Sequence, residues 1–294
     1  LYWSYYTSNR WKFNNRTTTV NFVKEDIRTW SLADIVAMTN ANYKSSLTHW
    51  EQTREYDINS FKDILVRGQN TDTLRPTLYD FLAHRALGYF KNTEPDITKP
   101  AYYFKIEDER MYGNSEKFSQ LEIPTKDTSS LKHTALTIYQ NLIAFHLNIT
   151  LNKAALVDVE LDRLRFVHTN ISVQNKEVLY ETALMSLSDN YQGISAYSEI
   201  RWQLASHYSQ QSSNYKVEIK ERKKQIRENN DKKKKFGTEI VQTIQDIRTK
   251  ANQLDGLIDK MKGFEMGEDI LNKWSEENRK LLEKLEKDEQ TALE

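Results

Sequence analysis

The sequence has no cysteine. That excludes disulfides, thiolate metal sites and cysteine nucleophiles, and leaves the redox compartment open. Proline and glycine are scarce, with 4 and 8 copies. Sandwiches and barrels need a turn every strand or two, so so few breakers favour long helices. Neither sign of charge is in excess: 42 Lys and Arg balance 42 Asp and Glu. Attraction of the whole molecule to nucleic acid or to a membrane is therefore not expected. No apolar run approaches the ~20 residues that span a bilayer, and no signal peptide is visible. Because the chain begins at Leu1, we expect it to be processed or to be a fragment of something longer.

Motifs that carry chemistry are missing too. There is no Gly-rich phosphate loop, no GxSxG and no acidic run with calcium spacing. His49, His133, His146, His168 and His207 show no HExxH or comparable metal spacing. The reading is therefore of a chain that is not an enzyme and binds no cofactor or metal, a dispersed site being the disfavoured alternative. Three N-glycosylation triplets, beginning at Asn15, Asn148 and Asn170, are expected by chance in an Asn-rich chain.

Among what is present, the stretch Leu74-Arg-Pro-Thr-Leu-Tyr-Asp-Phe-Leu-Ala-His-Arg-Ala-Leu87 is the most telling. It reads as a helix entered through Pro76, whose missing amide hydrogen a first turn does not need. Thr77, Asp80, His84, Gly88 and Lys91 recur at steps of three and four and form one narrow polar stripe. The apolar remainder implies burial on two sides between other helices. Asp80 and His84 are spaced as an oriented base would be. The plainer reading, which we adopt, is a pair on the exposed stripe of the helix.

More helices follow, over residues 131–147, 153–168, 176–187 and 194–208, separated by short polar turns. Such lengths and turns make antiparallel hairpins. His146, at the end of the first of these, is expected to face the last carbonyls. Residues 176–187 and 194–208 look like a tetratricopeptide-type pair, in which Ala183, Ala196 and Ala205 permit close approach. Residues 96–130 interrupt the array with an irregular insertion, within which 102–106 is a short strand or an extended loop.

Composition changes near Ser212-Ser213-Asn214. Of the 33 aromatic residues, all but Phe236, Phe264 and Trp274 precede residue 216. We therefore divide the chain into a helical-hairpin array, 1–212, and charged coiled-coil helices, 213–294. In the second part Ile240, Ile244, Ile247, Ala251, Leu254, Ile258 and Met261 step by alternate fours and threes, a heptad seam. Gly263 and Gly267 break it. Leu271, Trp274, Asn278, Leu281 and Leu285 resume the spacing, which predicts a helical hairpin. Upstream the seam is held only by Ile219 and Ile226, so that stretch reads as a solvated helix. Residues 220–235 hold nine basic residues against three acidic and end in Lys232, Lys233, Lys234 and Lys235. With no aromatic interleaved, base stacking and nucleic-acid binding are not expected, and a solvated charged helix is.

The residues Leu65-Val66-Arg67-Gly68-Gln69-Asn70, the stretch from Leu74 to Leu87, Ala135-Leu-Thr-Ile-Tyr-Gln-Asn-Leu-Ile-Ala-Phe-His-Leu147, Asp162-Arg-Leu-Arg-Phe-Val167 and Ser198-Glu-Ile-Arg-Trp-Gln-Leu-Ala205 together resemble a family. It is the N-terminal helical region of large alpha-2-macroglobulin-like proteins of Bacteroidetes-type bacteria, and the likeness covers residues 3–209. The resemblance implies an exported cell-envelope protein, periplasmic or extracellular, often lipid-anchored outside this stretch. It implies work in protease inhibition by trapping. Without cysteine the chain cannot carry the family's thioester. The resemblance therefore implies a non-catalytic scaffold or docking segment, whose partners are proteins or the remaining domains of a larger chain. Tyr102, Tyr103, Trp202 and Tyr208 are the candidate contact aromatics, with core burial the plainer role for each. The competing reading is a coiled-coil assembly protein that oligomerises through residues 215–294.

Overall fold

The computed structural model describes residues 1–13, 23, 25–66, 68, 73–93, 101–149, 153–228, 233–261 and 268–293. Asn15-Arg16-Thr17, Arg67, Gln69, Asn70, residues 96–100, Thr150, Lys232, Gly263 and Gly267 lie outside them. So do the side chains of Ile226, Lys233, Lys234, Lys235, Ile258, Met261 and Leu271. The fold is all-α. Eleven α-helices and no strand occur among the described residues. Two compact units divide at residue 180, Leu1–Tyr180 and Glu181–Glu294.

The first unit opens with α1 (Tyr2–Ser8) and α2 (Leu32–Ser46), which pack on each other. Aromatics hold them: Tyr6, Phe13 and Trp30 are buried with Ile35, and the Tyr2 ring stacks on Trp30 at 5.3 Å. After α3 (Trp50–Thr53) comes α4 (Leu78–Phe90). It starts at Leu78 because Thr77 is its cap. The Thr77 hydroxyl accepts from the Asp80 amide at 3.2 Å, and the Asp80 carboxylate accepts from the Thr77 amide at 3.1 Å. Pro76 thus stands one residue before the cap, not in the first turn, and its carbonyl accepts from the Ile58 amide at 2.9 Å.

The centre of this unit is α4, α6 (Leu131–Leu147) and α7 (Lys153–Asn170). α6 packs against both α4 and α7. Ala83, Ala86, Leu87 and Phe90 of α4 are buried, as are Leu136, Tyr139, Leu142 and Ile143 of α6 and Leu156, Val159, Leu164 and Val167 of α7. The insertion is less irregular than expected. It contains a 3-10 turn (Glu109–Tyr112) and the short α5 (Ser115–Ser119), which packs on α6. Residues 102–106 form no strand; Ile106 makes one isolated bridge to Ile171. α8 (Lys176–Asn190) begins in this unit and continues into the second.

The second unit is built on α9 (Tyr197–Glu228), α10 (Lys233–Met261) and α11 (Glu268–Leu293). α9 runs unbroken through Ser212-Ser213-Asn214, where the composition changes. Gly193, at φ +83°, takes the left-handed conformation in the turn before α9 that other residues enter at a cost. α9 packs along α10, and its Tyr208 hydroxyl donates to Glu181 of α8. Along α10, Ile244, Ile247 and Ala251 are buried against Leu281 and Leu285 of α11, and Tyr215 and Ile219 of α9 pack on the same cluster. Ile219 is thus part of the bundle, while Lys216, Val217, Glu218, Lys220 and Glu221 around it are exposed, as a solvated helix face requires. Asn278, 3% exposed, donates to the Ala251 carbonyl at 2.7 Å. A buried amide at a seam position ties one register, since any slip would leave it unpaired.

Candidate functional site

The polar side chains of the α4 stripe, Thr77, Asp80, His84 and Lys91, are buried or half-buried. Asp80 is fully buried, and its carboxylate is shared between two tasks. Oδ2 takes the capping bonds, from the Thr77 amide and from the Thr77 hydroxyl at 2.8 Å. Oδ1 accepts from His146 Nε2 at 2.7 Å. His146 is itself fully buried near the end of α6. Its ring therefore bonds to α4 and not to the last carbonyls of its own helix. The acceptor is a carboxylate, so Nε2 is the protonated nitrogen.

One turn further along α4 stands His84, half-buried, its Nε2 without a hydrogen-bond partner among the described residues. Burial depresses its pKa from 6.5 to about 4, and the nearby Arg75 charge adds to the effect. Asp80 and Asp162 oppose it. At neutral pH the ring is uncharged.

Two turns beyond, Lys91 closes the stripe. Its Nζ lies 2.9 and 2.8 Å from the two Asp162 oxygens on α7, and the Tyr139 hydroxyl of α6 donates to the same carboxylate at 2.7 Å. Burial works to raise the pKa of Asp162, but the Lys91 charge and the two donors outweigh it, and the carboxyl sits below its usual range. The tyrosine moves the opposite way: burial and the adjacent carboxylate push its hydroxyl far up. Arg75, just before α4, faces Asp158 of α7 at 3.8 Å. The stripe thus joins three helices through polar side chains that a solvent-facing reading treats as unrelated. Asp158 and Asp162 share one face of α7 through their spacing of four, the only local hint of this arrangement.

A second buried charge had no sequence signal beyond an acidic residue three positions before it. Arg163, 2% exposed, pairs with Glu160 within α7. Its guanidinium also donates to the Met111 carbonyl and, at 3.0 Å, to the Gly113 carbonyl, and it lies 4.4 Å from the centre of the Phe118 ring. One side chain thus fastens the insertion to the core.

The four candidate contact aromatics separate. Tyr102 and Tyr103 are 61% and 40% exposed, and Trp202 is 40% exposed. Tyr208 is buried within the second unit, where its hydroxyl donates to Glu181. It is a packing residue, because a buried phenol needs an acceptor and Glu181 supplies one. Of the seam residues, Ile244, Ile247, Ala251 and Leu254 are buried and Ile240 is half-buried. The lysines at 232–235 lie among the residues and side chains outside the description. Comparison of the chain with family models, with curated proteins and with solved structures finds no match.

Proposed function

We propose that the chain is a non-catalytic helical scaffold that docks other proteins. The setting is the one its resemblance implies, the helical leader of an alpha-2-macroglobulin-like protease trap at the bacterial envelope. The observation that carries the docking part is the pair Tyr102 and Tyr103. The Tyr102 ring is largely exposed, and the Tyr103 ring is partly exposed beneath Lys105. The segment that follows them is held down by the Phe104 amide, which donates to Asp127 at 3.1 Å, and by the Ser172 amide, which donates to the Ile106 carbonyl at 2.9 Å. Exposed aromatics on an anchored segment bind with little loss of chain entropy, which is the economy that interface hot spots use.

The buried polar network supports the same reading from the other side. Its carboxylates are committed to a cap, a histidine, a lysine and a tyrosine, which is how polar groups knit a core. The competing assembly reading needs seam residues free to meet another chain, and Ile244, Ile247 and Ala251 are occupied by Leu281 and Leu285.

The test is a photo-crosslinking residue placed at Tyr102 or at Trp202 in the producing cell. Adducts with a second protein, recovered from the envelope fraction and lost when Tyr103→Ala accompanies the Tyr102 probe, are the expected result. A chain that yields no adduct from either position, or that sits in the cytosol, overturns the proposal.

A further inference from the structure

The insertion carries an open groove of about 590 Å³ that lies apart from the buried network. Two stretches of it, 104–111 and 122–124, line the groove. Burial alternates along both. Phe104, Ile106 and Asp108 turn inward while Lys105 and Glu107 turn out; Leu121, Ile123 and Thr125 turn inward while Glu122, Pro124 and Lys126 turn out. A period of two is that of extended chain.

Each stretch is held along one edge. On the first, the Ile106 carbonyl accepts from Ser172. On the second, the Leu121 carbonyl accepts from Gln140 at 2.6 Å and the Ile123 carbonyl from His133 at 2.8 Å. Carbonyls alternate in direction along extended chain, so the backbone groups of Lys105, Glu107 and Glu122 point away from those partners. None of them is hydrogen-bonded to backbone among the described residues. The two walls are also tied to each other: the His133 ring that holds Ile123 meets the Phe104 ring edge-on at 5.2 Å. The groove is preformed.

Its chemistry is one-sided. Met111 is buried, and Phe104 and Ile123 are half-buried, which makes an apolar floor. Glu107, Glu109 and Glu122 stand exposed on the rim. Asp108 is already matched by Arg110 at 2.7 Å, and Lys105 lies over the Tyr103 ring at 5.0 Å. The carboxylates that remain call for cationic partners.

We propose that this groove takes an extended basic segment of a partner protein. The segment adds backbone hydrogen bonds to the open edge, sets alternate apolar side chains on the floor and sets the intervening Lys or Arg on the glutamates. This rests on the docking reading and names its surface and the chemistry of its partner.

The test is fluorescence anisotropy of the whole chain with a short labelled peptide of alternating lysine and valine. Three controls accompany it: the same peptide N-methylated at every lysine, a glutamate–valine peptide, and the double variant Glu107→Lys, Glu122→Lys. Glu51→Lys with Glu199→Lys makes the same change in net charge at exposed positions outside the groove. The expected result is saturable binding. N-methylation and the groove variant should each weaken it at least ~10-fold, the distant variant by less than ~2-fold, in line with a local and not a whole-molecule field. No binding, equal binding to the groove variant, or equal binding of the glutamate peptide overturns the groove. If the crosslinks from Trp202 survive that result, docking stands and its surface lies elsewhere; if they are absent as well, both readings fall.

Discussion

Asp80 and His146 lie 66 residues apart and share one hydrogen bond of 2.7 Å, in which neither side chain touches solvent. The other oxygen of the same carboxylate caps α4. Position 80 therefore couples a local signal, the start of a helix, to a long-range one, the docking of α4 on α6.

That double duty predicts unequal costs for the two members of the cap. Thr77→Ala removes one capping oxygen and should cost about 1 kcal/mol. Asp80→Ala removes its half of the cap and also leaves a buried imidazole N–H unpaired, which raises the total to about 2–4 kcal/mol. Urea denaturation followed by circular dichroism measures both. Equal costs would mean that the His146 bond contributes nothing.

His84 should make the first unit acid-sensitive. Its folded pKa, about 4, lies below its ordinary value of 6.5. The unfolded chain therefore binds the proton more readily, and the stability associated with the neutral ring is present above pH 6.5 and is lost as pH falls through the window down to 4. The groups facing it are Arg75, which adds to the depression, and Asp80 and Asp162, which oppose it, with the second histidine of the network, His146, also near. The expected loss across that window is roughly 2–3 kcal/mol at most, reduced by the ring's partial exposure. His84→Phe should flatten the dependence there. A variant that keeps the wild-type slope would assign the sensitivity to another group.

Arg163 predicts a strong effect from one partner and a weak one from two. Arg163→Met leaves Glu160 as an uncompensated charge in the core and strands the Met111 and Gly113 carbonyls; about 3–5 kcal/mol is expected. Adding Glu160→Gln should recover part of that loss. The insertion, residues 101–130, should be cut by protease much sooner in the single variant than in the wild type. An unchanged digestion rate would show that other contacts suffice to hold it.

In the second unit, Leu285→Ala should cost about 2–4 kcal/mol, since Leu285 is 1% exposed and packs on the α10 seam. Ile247→Lys should lower helicity without altering the sedimentation coefficient of the folded fraction. A shift from oligomer to monomer in that experiment would instead mean that the seam serves two chains.

What could be read in advance follows physical lines. The bounds 131–147 of α6 are recovered to the residue, because Ser130 caps it through the His133 amide at 3.2 Å and the apolar spacing is unbroken. The seam of α10 is legible for the same reason, but spacing alone does not say whose side chains cover it. The α4 stripe differs from its expected exposure, because Asp80 and Lys91 look solvent-facing until their partners on α6 and α7 are known, and His84 is half-buried beside them. Arg163 was invisible, since two of its acceptors are backbone carbonyls and carry no sequence signature. The change of composition near residue 212 is no breaker, and α9 passes through it; the compact units part at residue 180, where the sequence has no proline or glycine to mark the place.

The acceptors that Arg163 finds on the insertion are main-chain atoms, present whatever residues occupy positions 111 and 113. Substitution on the insertion side cannot delete them. The main-chain part of the fastening thus follows from the path of the insertion, while two positions there are not free to drift: Phe118, whose ring meets the guanidinium, and Gly113, where an added Cβ would stand 3.0 Å from the Arg110 carbonyl.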